Sequence, residues 1–243
     1  MSLHRAFLFE TPTGNTIQIA GQEAHHLIHV LRMEPGRFLE LIDGSGRLWF
    51  GKIGNIFSEQ VQIVDIRLLS DVKKPDVNII VIQALCKTNR LEWILQKLTE
   101  LGISEVYLLK AQRSVVRVVE KRLESKLNRW KTIITNAAKQ SRRTTIPKLN
   151  RPSGLSEICQ NVQAELKLFL DSNPQSTELK DRLRHTSCHS VAISIGPEGG
   201  WTNEECTTFL KYGFKSTNIS ANILRTETAA LVTSAILQYE LTE

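Results

Sequence analysis

Val191-Ala192-Ile193-Ser194-Ile195-Gly196-Pro197-Glu198-Gly199-Gly200-Trp201 is an apolar run that stops at a turn. The first five residues read as a buried strand, and no strand or helix absorbs the glycines and proline after them. Thr202-Asn203-Glu204-Glu205 then has the Thr-x-x-Glu spacing of a capping box, so a helix begins there. Strand, glycine loop and helix in succession are the unit of a parallel α/β sheet. With no Cβ in the way, the glycines let main-chain N–H groups come close to a ligand. A second stretch, Ile223-Leu224-Arg225-Thr226-Glu227-Thr228-Ala229-Ala230, also follows an apolar run and leads into a helical pattern. Two such loops in one short region point to a backbone-built pocket for a small cofactor.

Upstream, the same rhythm continues. Strands are predicted at Val77 to Leu85, Val106 to Leu109, Leu166 to Leu170 and Ser216 to Ser220. Between them Leu91, Ile94, Leu95, Leu98 and Leu101 fall at helical spacing, with Gly102 as the C-cap, and Leu123 to Ser141 reads as a basic helix. A last helix is predicted from about Glu227 to Leu241. Alternating strands and helices imply a parallel sheet covered on its faces, with ligands at the carboxyl ends of the strands. Asp171-Ser172-Asn173-Pro174, the 196–200 loop and the 221–226 loop all lie just past predicted strands.

Residues 1–70 read differently, as a β-rich unit. Leu39 to Ile42 ends at the turn Asp43-Gly44-Ser45-Gly46, and Arg47 to Ile53 and Gln60 to Leu68 follow as strands. Gln22 to Arg32 reads as a short helix closed by Pro35-Gly36. A small β-barrel with one inserted helix fits, and Asp71 to Asp76 reads as the linker to a second domain at 75–243.

The 243 residues are 41% hydrophobic and 23% charged, an ordinary globular composition. No apolar run is long enough to span a bilayer, and Met1-Ser2-Leu3-His4-Arg5 lacks a signal-peptide core, so a soluble cytoplasmic protein is expected, with no membrane. Cys86, Cys159, Cys188 and Cys206 are widely spaced and read as unpaired thiols. His25 and His29 stand four apart without the rest of a metal motif, so no metal site is expected. From Lys110 to Arg151 thirteen Lys and Arg face two acids, a surplus of eleven in a chain of formal net charge +6; the remainder therefore carries −5. That asymmetry is either a footprint for a polyanion such as RNA or a solvated basic helix face.

The glycine loops carry no following Lys and no G-x-G-x-x-G, so Walker A and the usual dinucleotide turn are excluded. No G-x-S-x-G occurs and no Ser or Cys nucleophile has a plausible His arrangement. What remains is main-chain donors and acceptors beside Glu198, Arg225 and Glu227, a set suited to a group transfer that depends on positioning. A non-catalytic RNA-binding module is the alternative that the basic segment alone supports.

Gly196 to Trp201 with Glu205, followed by Ile223 to Ala229, closely resembles the family that methylates N3 of a uridine in 16S ribosomal RNA, within the trefoil-knotted SPOUT methyltransferase superfamily. Gln96-Lys97-Leu98-Thr99-Glu100-Leu101-Gly102 is similar to that family's Q-K-x-T-E-L-G helix end. Ala137-Ala138-Lys139-Gln140-Ser141-Arg142-Arg143 with Ile146-Pro147 is similar to its A-x-x-Q-S-x-R…I-P segment. His25, Val30-Leu31-Arg32 and Asp43-Gly44 resemble its N-terminal module. The loop before Ile223 departs from the family's Leu-Gly pattern and reads Ser220-Ala221-Asn222.

The resemblance implies an α/β SPOUT domain with a parallel sheet and a C-terminal trefoil knot, preceded by a PUA-like β-barrel at 1–70 that helps grip RNA. It implies S-adenosylmethionine held by backbone of three loops, with Leu170, Gly196, Glu198, Gly199, Gly200, Ser220, Ile223, Leu224 and Thr226 at the cofactor. It also implies a homodimer acting on 16S rRNA of the small ribosomal subunit. Arg225 is then the candidate to stabilise a uracil anion, and Glu198 or Glu227 to take the N3 proton. Arg5, Arg32, Lys87, Arg113, Arg117, Arg129, Arg142 and Arg143 are candidates for phosphate contacts, with Gln140 and Arg143 alternatively facing the cofactor or the base.

Overall fold

The computed structural model describes residues 3–242 apart from Phe9, residues 72–76, residues 117–119, Pro174, Ala221 and the side chain of Glu120. The chain divides into two compact units: Met1–Lys74 together with Ala138–Ile146, and Pro75–Ala137 together with Pro147–Glu243. Of the stretch read as a linker only Asp71 falls among the described residues.

In the first unit the strands are β1 (His4–Phe7), β2 (Ile17–Ala20), β3 (Phe38–Ile42), β4 (Leu48–Ile56) and β5 (Gln60–Ser70). They lie in the order β1-β3-β4-β5-β2, with β1 parallel to β3 and the rest antiparallel. Leu39, Leu41, Trp49, Ile53, Val61 and Ile63 alternate with more accessible neighbours, Ile42 apart, and bury one face, the two-residue period of a half-covered sheet. The pairing of β4 with β5 shifts register three times, and such bulges add twist, so the sheet curls. The helix predicted from Gln22 to Arg32 is shorter and irregular. It is α1 (Gly21–His25) continued by a π-helical turn (His26–Val30), and Arg32 adopts φ +48 beyond it. Ala24 and Leu27 from this element are wholly buried in the curl. The predicted turn at Asp43 is an Asx turn: Asp43 Oδ1 accepts from Ser45 N at 2.9 Å.

A floor for this unit comes from far along the chain. Phe7 and Ile42 pack with Ala138 and Ile146. Glu23, only 4% exposed, accepts a hydrogen bond from Phe7 N at 3.0 Å and pairs with Lys139, so its charge is not stranded.

The second unit runs β6 (Asn78–Ala84), α2 (Thr88–Glu100), β7 (Glu105–Leu109), α3 (Leu123–Gln140, which continues into the first unit), β8 (Lys148–Leu149), α4 (Leu155–Asn161), β9 (Leu166–Leu170), β10 (Thr177–Glu178), α5 (Leu179–Leu183), β11 (Ser190–Ile195), α6 (Asn203–Lys211), β12 (Lys215–Asn218) and α7 (Thr226–Leu241). Its seven strands are ordered β10-β12-β9-β11-β6-β7-β8, and every pairing is parallel. Continuous apolar runs suit strands covered on both faces, and Ile79 to Ile82 are all buried. One face packs Ile80, Ile82, Tyr107 and Leu109 with Phe169, Phe209 and Phe214; α2 and α7 pack against each other and α7 against β6 and β11.

The expected α/β fold is present. α2 ends as read, with Gly102 at φ +88 and Ile103 N bonded back to Leu98 O at 3.1 Å. The strand read at Ser216 to Ser220 lies instead at Lys215–Asn218, which releases Ile219 and Ser220 into a loop. Two short helices, α4 and α5, went unread because each is too brief to show a helical period.

The sheet order sets the site. The chain goes outward from β6 to β7 and β8, crosses to β9, and then slots β11 between β9 and β6. The carboxyl ends of β9, β11 and β12 are thereby neighbours at the switch in winding direction, where open parallel sheets bind ligands.

Candidate active site

A cavity of about 450 Å³ opens at those strand ends, within the size range of small-molecule sites. Its walls are Leu170 to Ser172 after β9, Ile195 to Trp201 after β11, and Asn218 to Ser220 and Asn222 to Thr226 after β12. Leu170, Gly196, Glu198, Gly199, Gly200, Ser220, Ile223, Leu224 and Thr226, expected to contact a cofactor, all line this cavity, as does Arg225. Glu227 does not; it stands in the first turn of α7, where its charge meets the positive end of the helix dipole.

The 196–201 loop is held by side chains on every side. Thr226 Oγ1 donates to Gly196 O at 2.8 Å and itself accepts from the fully buried Gln83 Nε2 at 3.0 Å. Trp201 Nε1 donates to Leu170 O at 2.7 Å, tying the loop after β11 to the end of β9. Arg113 Nη1 donates to Gly199 O at 3.1 Å and Trp201 O at 3.2 Å. Gly200 sits at φ +68, where a side chain would be strained. A Cβ on Gly199 would lie 3.1 Å from Arg113 Cβ, so the glycine admits the arginine. The capping box forms: Glu205 N donates to Thr202 Oγ1 at 3.2 Å and Thr202 N to Glu205 Oε2 at 2.9 Å. Glu205 Oε1 also accepts from Gln112 N at 2.9 Å, which accounts for a carboxylate only 3% exposed.

Arg90, in the first turn of α2, joins the two acids named from the sequence. Its guanidinium pairs with Glu198 and lies 3.7 Å from Glu227 Oε1. The second oxygen of Glu227 is buried with no hydrogen-bond partner among the described residues. Close by, burial pushes the Cys86 thiol up to about 12, the Glu198 and Glu227 charges add to it, and Arg90 opposes. At neutral pH Cys86 is a thiol and no nucleophile. Arg225 is exposed at the N-cap of α7; its carbonyl accepts from Ala229 N at 2.8 Å, and its side chain makes no hydrogen bond or ion pair among the described residues.

Arg90, Gln83 and the indole N–H of Trp201 were not legible as site residues. Arg90 does leave one trace. A cation in a first helical turn opposes the helix dipole and calls for an acid partner, and α2 has none in that turn.

The candidate phosphate ligands fare unequally. Arg32, Lys87, Gln140 and Arg142 are exposed. Arg5 is engaged, its Nε donating to Glu40 at 2.8 Å and its Nη1 to the Arg142 carbonyl. Arg129 is paired with Glu92 at 2.6 Å, and Arg113 holds the loop as described. Arg143 is half-buried and donates to Thr145 Oγ1 at 3.0 Å; burial pulls its guanidinium down to about 10, which leaves it cationic at neutral pH. Arg117 lies outside the described residues. Lys139, Lys148 and Arg151 are paired with Glu23, Glu105 and Glu124. The charge surplus of the 110–151 segment is therefore partly compensated by acids, the exposed Arg129 and Arg151 both being in ion pairs. The His25 and His29 rings lie with centroids 4.6 Å apart and planes tilted by 47°, and no group of three metal-binding side chains occurs among the described residues. No helix among the described residues is long and apolar enough to cross a membrane.

A cavity walled by three loops at the switch point of a parallel sheet, with carboxylates and an arginine beside it, suits a transferase that binds and aligns its reactants. Known proteins give the family. The RNA methyltransferase domain matches residues 73–238 and the RNA methyltransferase PUA domain matches residues 19–66; this chain belongs to the RNA methyltransferases built on that domain. It is 28% identical over 231 residues to ribosomal RNA small subunit methyltransferase E of Bacillus subtilis (strain 168), covering 93% of this chain and 90% of that one. It is similar to a Legionella pneumophila structure in complex with the bound cofactor SAM, with TM-score 0.89, 28% identity and both chains fully covered. It is also similar to ribosomal RNA small subunit methyltransferase E of Neisseria gonorrhoeae bound to S-adenosyl methionine, with TM-score 0.85 and 29% identity over 99% of this chain and 98% of that one.

Proposed function

We propose that this chain methylates N3 of a uridine in 16S rRNA of the small ribosomal subunit, using S-adenosylmethionine, as a cytoplasmic homodimer. The observation that carries the reading is the strand-end cavity: all nine residues expected at the cofactor line one space, in a chain similar to structures that hold that cofactor. The residues present fit the cofactor. Main-chain groups of three loops supply directional donors and acceptors, Ile223, Leu224 and Ala229 supply apolar wall, and the glycines keep side chains out of the space. On this reading the three loops are threaded as the trefoil knot of the superfamily, and the 1–70 module is an RNA-gripping PUA-like barrel.

When bound, the cofactor supplies an electrophilic methyl group. The chain's own residues must do the rest. Uracil N3 carries a proton at neutral pH and lies on the pairing edge, so the base must be unpaired and the proton removed. Arg225, whose exposed side chain is uncommitted among the described residues, is the candidate to stabilise charge on a uracil oxygen. Glu198 or Glu227, both positioned by Arg90, accept the N3 proton directly or through water. Fixing these groups before the base arrives lowers the reorganisation that the reaction requires.

Two experiments test this. Calorimetry with S-adenosylmethionine should show binding, and a heatless titration would end the cofactor reading. Nucleoside mass spectrometry of small-subunit rRNA from cells lacking the gene, before and after treatment with the protein, should show one N3-methyluridine gained; a different modified nucleoside would reassign the substrate atom.

A further inference from the structure

The first unit presents, on the face of its sheet turned away from the core, a feature the proposed chemistry leaves unused. Leu39, Leu41, Trp49 and Ile53 point inward, so alternation puts Phe38, Glu40, Phe50 and Lys52 on the outer face. Phe38 and Phe50 stack there with ring centroids 5.0 Å apart and planes 21° apart. Cross-strand register sets Phe50 between Glu40 of β3 and Arg67 of β5, and the Arg67 guanidinium lies over the Phe50 ring, 4.8 Å from its centroid. Across the strands the row therefore reads guanidinium, ring, ring, and it stops at Phe38, which is 47% exposed.

A single exposed apolar side chain needs no explanation. This one terminates an ordered stack and stands among cations. Arg37 and Lys52 flank Phe38 in sequence and in register, and together with Arg67 they make no ion pair among the described residues. Glu40, the carboxylate opposite Phe50, is held by Arg5. The open face is thus aromatic and its surroundings are positive. A partner suited to both is a polyanion that exposes π-faces. Duplex RNA hides its base faces in its own stack, whereas an unpaired strand offers them along with its phosphates.

We propose that Phe38, Phe50 and Arg67 form a stacking platform that takes an unpaired base of the RNA substrate, with Arg37 and Lys52 on the adjoining phosphates. The proposal rests on RNA being the substrate, as read above, and adds where and in what state the strand is held.

The test is fluorescence anisotropy on the full-length protein with a labelled oligouridine and a labelled blunt-ended RNA duplex of equal length. Phe38→Ala should weaken oligouridine binding about tenfold, within the effect of losing one stacked base, and leave duplex binding unchanged. Phe38→Trp should keep the affinity and show indole quenching on binding that the wild type lacks. It also keeps the proposal testable if Phe38→Ala fails to fold. Arg37→Ala should weaken oligouridine binding and make its dependence on salt shallower. Unchanged oligouridine affinity in Phe38→Ala would overturn the platform, as would equal losses on both RNAs or the absence of quenching in Phe38→Trp. So would a Phe38→Ala protein that binds RNA normally but sediments as a smaller species, since a second copy would then be what covers this face. S-adenosylmethionine calorimetry on the same samples separates the readings. Failure of the wild type to bind cofactor counts against the methyltransferase reading and leaves the platform result as measured.

Discussion

At the scale of single residues, Arg90 is the one that organises the candidate chemistry. It contacts Glu198 on the cavity wall and Glu227 on α7, residues 29 positions apart in the chain, and fixes both relative to α2. Arg90→Ala should therefore raise the KM for S-adenosylmethionine and lower kcat together, whereas Arg90→Lys, keeping one charge but not the fork, should recover only part. The two acids should part company. Glu227→Gln, which removes the carboxylate charge facing Arg90, is expected to lower kcat about 100-fold, as for loss of a general base. Glu198→Gln, whose carboxylate Arg90 already occupies, should act mainly on KM. Steady-state kinetics with RNA and cofactor varied separately distinguishes these outcomes, and identical profiles for the two variants would refute the division. Arg225→Ala should cost about 100-fold in kcat with cofactor binding retained; an equal loss of both would remove its assignment. The sequence displayed Glu198, Arg225 and Glu227 because each adjoins a glycine loop or a helix start. It hid Arg90 because the acids that explain a cation in that helical turn are 108 and 137 residues away.

Among elements, the loop between β11 and α6 shows how local signals survive into the fold. Glycine and proline stop the strand and Thr202 with Glu205 starts the helix, so strand end, turn and cap were all legible. Thr202→Ala should destabilise the second unit by about 1 kcal/mol, read as a lower denaturation midpoint with unchanged slope. The edge of the same sheet gives a pH prediction. Glu105 on β7 is pushed up by burial but more strongly down by hydrogen bonds from Lys148 and Asn150, and its carboxyl ends below the ordinary range. A depressed carboxyl adds stability above its unfolded pKa, and that stability is lost as pH falls through the folded one. The melting temperature should fall on acidification below the usual Glu range, and Glu105→Gln should flatten that limb; a parallel limb in the variant would show that Glu105 is not responsible. Elements that depend on distant packing were the ones missed. α1 loses its regular geometry in the curl of the first sheet, and β8 and β10 are two residues each, held only by their neighbours.

For the whole molecule, net charge is a poor guide to where RNA would lie, since carboxylates distant in sequence meet several of the basic side chains. Arg142, exposed, should contribute to the salt dependence of RNA binding, and Arg142→Ala should reduce the slope of log affinity against log salt by about one. Arg129→Ala, already matched by Glu92, should leave the slope unchanged. Anisotropy over a salt series decides, and the reverse ranking would show that pairing in the free protein does not predict engagement. The change of period near residue 75 falls beside the step from Lys74 to Pro75 between the two compact units. The return of residues 138–146 to the first unit was not legible, because nothing in a basic helix announces that its last turn is core for another sheet. That return has a consequence for biosynthesis. Domains generally fold as units as the chain emerges, N-terminal first. Here the leading module is missing Ala138, Lys139 and Ile146 until those residues have been made, well after its last strand, and Phe7, Ile42 and the Glu23 carboxylate wait uncovered. A nascent chain arrested before that point would carry a half-built module, and that is the stage at which chaperones would find it.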